Sequence, residues 1–314
     1  MTDKDFEEQL TTILKASCKD KYTIEVKEIE KNYTTMTGVI FDKINSEKDV
    51  GHKVTPVLYV ENAYSDFLDG KSILDICSSM IETIDEVYEN NVVSDLMAKY
   101  NRDNWEKLVE DWDCKLIMTA IPESEDEKST KNYYTIDTPT GKCGFKLSLG
   151  EGQFLTIKND MVDMFNLEEY TKDELRHIAI ENFINNHMVV QTLLGVIANP
   201  QESGGINEIP DELPKDEPIV ISGYEIPGST GMILSKQVLE YICDKYGFED
   251  VYIIPSSIHE VILLNKNEIE PNSVDYMLSS LAEVNLSVLD PGEIFSYNIY
   301  EFNTEDKKIE VIEG

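Results

Sequence analysis

A chain with a net charge of −34 can fold only if its carboxylates stay at the surface and an apolar core outweighs their mutual repulsion. Here 61 Asp and Glu face 27 Lys and Arg, yet apolar residues still make up 41% of the sequence, an ordinary globular share. A length of 314 residues is enough for two such cores. The expectation is a folded, surface-acidic protein. Its partners follow from the same balance. Arg102 and Arg176 are the only arginines, and arginine is the side chain that forks onto phosphates and base edges. Direct nucleic-acid binding is therefore not expected, whereas a basic protein partner is.

The compartment follows from what a secreted or membrane chain would carry. Met1 to Phe6 shows neither the basic nor the apolar region of a signal peptide. The longest nearly apolar stretch, Met188 to Ala198, contains Gln191 and Thr192 and is too short to span a bilayer. Cys18, Cys77, Cys114, Cys143 and Cys243 are odd in number and scattered, as reduced thiols are. A cytoplasmic protein without a membrane span is expected.

Periodicity gives an α+β fold with a unit at 1–115 and a second at 116–314. In the first, Phe6, Leu10, Ile13 and Leu14 mark one helix face. Strands are predicted at Tyr22–Val26 and Met36–Phe41, turning at Asn32. A third lies at Val54–Val60, where Pro56 restricts it to an edge or a bulge. From Ser72, a fitting N-cap, the period becomes helical through Ile73, Ile76, Cys77, Met80, Ile84, Val87 and Tyr88. An acidic segment follows, with Trp105, Leu108, Val109 and Trp112 inward and Glu106, Glu110 and Asp113 outward. This makes a helix–three-strand–helix unit.

The second unit mixes strands and helices. Pro122–Lys131 reads as a surface loop, and Gly144–Leu149 with Gln153–Ile157 as a hairpin around Gly150 and Gly152. Helices are predicted at Thr171–Ile184 and His187–Ala198, then a Pro/Gly-rich acidic loop at Asn199–Pro218. A strand at Ile219–Tyr224 precedes a helix at Ser235–Tyr246 that Gly247 ends. Strands at Val251–Ile254 and Ile258–Leu264, a helix around Val274–Val284 and short terminal strands complete it.

The segment Ile254-Pro255-Ser256-Ser257-Ile258-His259-Glu260-Val261-Ile262 resembles a bacterial domain-of-unknown-function family, numbered five-six-eight-eight, found in anaerobic gut bacteria and on their mobile elements. Similar segments fall at Met232-Ile233-Leu234, Glu283-Val284-Asn285, Pro291-Gly292-Glu293, Val57-Leu58-Tyr59, Tyr64, Gly70-Lys71-Ser72 and Thr156-Ile157-Lys158-Asn159. The resemblance covers most of the chain and implies no activity.

Four clusters merit weighing for chemistry. Ser256, Ser257, His259 and Glu260 could form a serine nucleophile with its base. In an extended strand, however, His259 and Glu260 point to opposite faces, which favours turn capping over a binding pocket and a pocket over catalysis. Asp173, His177 and Glu181 share a helix face at metal-site spacing, but no second histidine pair or Cys motif lies near, and a solvated face is the preferred reading. Gly223 to Thr230 has phosphate-loop spacing with Ser229 in the lysine's place and Glu225 inside, so it cannot cradle phosphates in that way. Finally Asp75, Glu82, Asp85 or Glu86, and Glu89 form a stripe on one helix with about one turn, ~5.4 Å, between most of them, near the spacing of phosphates on a strand, although a solvated face is the preferred reading. No cofactor or metal is implied. The expectation is a non-enzymatic protein that binds a partner, with nucleic-acid mimicry against a host defence nuclease or restriction system as its concrete form. The alternatives are a small-ligand binder or hydrolase at Ser256–Glu260, and a structural subunit of a bacterial assembly.

Overall fold

The computed structural model describes residues 2–31, 34–44, 55–90, 107–122, 130–150, 152–198, 209–268 and 291–312, with single positions at 273, 276, 279, 280 and 289. Several expectations lie outside these residues: the turn at Asn32, strand residue Val54, Trp105 and Glu106, most of the 122–131 loop, the Gly204-Gly205 part of the acidic loop, and nearly all of the helix around Val274–Val284. The fold is α+β and divides into two compact units, Met1–Leu108 and Val109–Gly314.

The first unit is a one-sided sheet covered by helices. Helix α1 (Asp3–Cys18) starts at a reciprocal cap, in which Thr2 and Asp5 satisfy each other's backbone amides. Phe6, Leu10, Leu14 and Cys18 form its buried face. Strands β1 (Tyr22–Lys31) and β2 (Thr34–Lys43) pair antiparallel, and β3 (Val57–Tyr59) joins the far side of β2 as an edge strand. Pro56 sits just before that edge, where its missing amide removes no ladder bond. Helix α2 (Val60–Leu68) follows β3 directly and replaces the end of the predicted strand. Helix α3 (Ile73–Glu89) begins at Ser72, whose hydroxyl accepts from the Asp75 amide at 3.2 Å. Tyr22, Ile24, Val39 and Phe41 alternate along β1 and β2 to meet Ile76, Cys77, Met80 and Ile84 of α3 in one core.

The second unit holds two antiparallel sheets. In the four-stranded one, β4 (Leu116–Ala120) lies on one side of β6 (Gly141–Gly150). Strands β5 (Thr135–Thr138) and β7 (Gln153–Thr156) share its other side. Gly150 and Gly152, at φ 81° and 68°, make the tight return between β6 and β7. Helix α4 (Lys172–Asn186) is capped by Thr171 and Glu174, and Asn182 ties it to β4 through the Leu116 carbonyl at 2.9 Å.

The helix expected at His187–Ala198 is instead a strand, β8 (Met188–Thr192), and a short helix, α5 (Leu193–Ala198). The cause is tertiary. Met188, Val189 and Val190 are buried by pairing with β9 (Ile219–Gly223), which returns from the far side of the acidic loop. Two more helices follow, α6 (Thr230–Ile233) and α7 (Lys236–Tyr246). The latter is capped by Ser235 and ended by Gly247 at φ 68°. Strands β10 (Asp250–Pro255), β11 (Glu260–Asn265), β12 (Ile299–Asn303) and β13 (Lys308–Ile312) complete a six-stranded sheet in the order β13-β12-β10-β11-β9-β8. Among the described residues no helix is long and apolar enough to cross a membrane.

Candidate functional site

Register places a polar patch on one face of the six-stranded sheet. Val190, Ile221 and Val261 pair across β8, β9 and β11 and are fully buried. Their neighbours on the opposite face are Gln191 beside Val220, and Ser222 beside Glu260. Side chains paired in this way have Cβ atoms about 5 Å apart. These four residues floor a cleft of about 360 Å³, walled by Val196 of α5, by Glu225 to Pro227 and by His259.

The wall is set by two loops that clasp each other. The predicted strand Ile258–Leu264 begins only at Glu260, and Ser256 to His259 form a turn. This corrects the opposed-face argument, because His259 lies outside the strand and lines the same cleft as Glu260. The Gly228 amide donates to His259 Nδ1 at 3.0 Å, so the neutral ring carries its proton on Nε2. Buried Ser229 donates its hydroxyl to the His259 carbonyl. Buried Thr230 donates to the Ser257 carbonyl at 2.8 Å, and its amide to the Ile258 carbonyl at 3.0 Å. The loop with phosphate-binding spacing therefore uses its donors to hold the turn. Glycines here serve close approach: a Cβ on Gly223 of the loop would lie 2.9 Å from Ser229 Cβ, and one on Gly231, just past it in α6, 2.4 Å from Cys143 Sγ.

The two serines do not converge with the histidine for nucleophilic chemistry. Ser257 Oγ accepts the His259 amide at 3.0 Å, and Ser256 Oγ donates to Glu260 Oε1 at 3.1 Å. Neither lines the cleft, whereas His259 and Glu260 do. The residues that sequence reading did not bring to this site are Gln191 and Ser222, which only strand register reveals. Glu225 was visible in the glycine-rich loop, but not its conformation. At φ 55° it occupies the left-handed region, which a β-carbon makes costly. Its carboxylate accepts from the Tyr224 hydroxyl and pushes that phenol's pKa up. Nearby, burial holds the His187 imidazole below its ordinary range, against the pull of a hydrogen bond to the Tyr224 backbone and of the Glu225 charge.

The acidic helix face is arranged differently from a free row of charges. Asp75 accepts the Ser72 hydroxyl at 2.6 Å. Asp85 is bonded to Lys21 at 2.7 Å and to the Tyr22 hydroxyl at 2.6 Å. Burial pushes the Asp85 carboxyl up, but those two bonds outweigh it and hold it below the ordinary carboxylate value. Glu82, Glu86 and Glu89 are exposed. Asp173, His177 and Glu181 also face solvent, with His177 Nε2 3.2 Å from Glu181. Among the described residues no group of His, Cys, Asp and Glu is arranged to hold a metal.

Residues 140–304, just over half of the chain, match a family described as a family of unknown function (DUF5688). The chain belongs to that family. No curated protein and no solved structure matches it. The DUF5688 match includes the Ile254–Ile262 segment and every residue lining the cleft. Asp75, Glu82, Asp85, Glu86 and Glu89 fall before it, as do Val57-Leu58-Tyr59, Tyr64 and Gly70-Lys71-Ser72.

Proposed function

We propose that the protein is a non-enzymatic binding protein whose cleft receives a cationic group, an amine or a guanidinium, carried by a partner. The observation that carries this reading is the cleft's lining. Glu225 and Glu260 supply carboxylates, and Gln191, Ser222 and His259 supply hydrogen-bonding groups. No lysine or arginine stands among the described lining residues. Low-dielectric walls concentrate the field of such carboxylates and favour cations over anions. Glu225 supports the same reading, since a strained backbone at a cleft is a feature that ligand sites retain. The internal bonds of Asp75 and Asp85 leave phosphate mimicry by α3 with less to rest on. The separate use of the Ser256 and Ser257 hydroxyls likewise argues for binding over acyl transfer.

The test is a nuclear magnetic resonance titration with methylguanidinium, n-butylammonium and acetate. The cations are expected to shift the amide resonances of Ser222, Glu225, His259 and Glu260. The paired substitution Glu225→Gln and Glu260→Gln is expected to abolish those shifts. Equal perturbation by acetate, or none by either cation, would refute the proposal.

A further inference from the structure

The cleft does not end at its charged groups. Helix α5 follows β8 without a connecting loop, and its Val196 is part of the cleft wall. On the outward side, Leu194 and Ile197 are 61% and 67% exposed. They stand three residues apart, which places them next to each other on the helix surface. Two large apolar side chains on one six-residue helix, beside an acidic cleft, present two kinds of surface within the reach of a short peptide.

We propose that the occupant is a peptide segment of a basic partner protein in which an arginine or lysine adjoins large apolar residues. This rests on the cationic-group reading above and extends it. The basic side chain enters between Glu225 and Glu260, where a volume of about 360 Å³ has room for one such chain but not for a folded element. The neighbouring apolar residues lie over Leu194 and Ile197. Charge complementarity selects this occupant. A chain of net charge −34 attracts a basic segment from a distance, and it repels both an acidic segment and a second copy of itself. A free small amine would fill the cleft but leave the α5 surface uncovered.

The experiment compares two capped tripeptides by isothermal titration calorimetry on the full chain, leucine–arginine–leucine and glycine–arginine–glycine. Covering the α5 side chains is expected to make the first bind roughly tenfold tighter. The variant Leu194→Ser with Ile197→Ser changes only exposed positions. It should erase that preference while leaving the affinity for glycine–arginine–glycine as it was. Equal affinities for the two tripeptides, or a preference that survives in the variant, would overturn the inference and leave the cationic cleft standing. Methylguanidinium binding without either tripeptide would do the same, whereas silence from all three ligands would end both readings. Sedimentation of the chain across a concentration series supplies the remaining control. A dimer that dissociates in the Leu194→Ser, Ile197→Ser variant would show that a second copy covers α5, and would also overturn the proposal.

Discussion

Lys146 offers the sharpest quantitative test of the second unit. It lies in β6 between register partners Ile117 of β4 and Thr156 of β7, and it is only 5% exposed. Burial pushes its amine down to about 8 from the ordinary 10.5. Each pH unit between those values is worth about 1.4 kcal/mol, so keeping the ammonium in the fold costs roughly 3 kcal/mol at neutral pH. Below pH 8 the amine is charged in both states and the full penalty applies. Between about 8 and 10.5 the folded chain has released the proton while the unfolded chain still holds it, so this group's contribution to stability rises with pH. Lys146→Met removes the charge and keeps the length of the side chain. Lys146 also makes an interaction within the fold, so the net gain at pH 7 is expected to be about 1–3 kcal/mol. The assay is urea unfolding at pH 7 and at pH 10, on wild type and variant together. Comparing the two proteins matters because Cys143, pushed up to about 12 by burial, titrates with the opposite effect on stability. A variant less stable at pH 7, or an advantage that does not shrink by pH 10, would refute the account of Lys146 as a buried cation.

Three further predictions bear on the clasp and on the first unit. Thr230→Val keeps the shape of the side chain but removes the bond to the Ser257 carbonyl. It should destabilise the second unit by about 1–3 kcal/mol and weaken methylguanidinium binding, both read by titration. Gly231→Ala drives a methyl into Cys143 Sγ and should cost about 1–3 kcal/mol in urea unfolding. Combined with Cys143→Ala, part of that loss should return as a favourable coupling energy, and strict additivity would count against the close approach. Asp85→Asn should destabilise the first unit by about 1–2 kcal/mol at pH 7. Because the folded carboxyl lies below its ordinary value of 3.8, this contribution is present above that value and is lost as the pH falls through the folded one. Unfolding curves of wild type and Asp85→Asn should therefore converge in acid.

Local signals in this sequence were legible where they acted locally. Ser72 and Gly247 marked helix ends, and Gly150 with Gly152 marked a hairpin, because caps and tight turns depend on a few neighbouring residues. Strand β8 was not legible. Met188 to Ala198 is uniformly apolar enough to pass for a helix, and its partner β9 arrives only after the acidic loop. Strands β4 and β5 were missed because both depend on β6 for pairing. Half of the cleft was visible as His259 and Glu260. The other half, Gln191 and Ser222, has no signature of its own, since a polar residue in a strand means little until the strand across from it is known.

The floor of the cleft joins β8, β9 and β11, and neither of its two pairings is a hairpin: Thr192 meets Ile219, and Ser222 meets Glu260. Contacts so distant in sequence form late, after the chain has closed its larger loops. The cleft therefore exists only once all three strands have paired. On the proposed reading, a partner that enters the cleft would distinguish a finished chain from a truncated one, because only the finished chain carries all three strands.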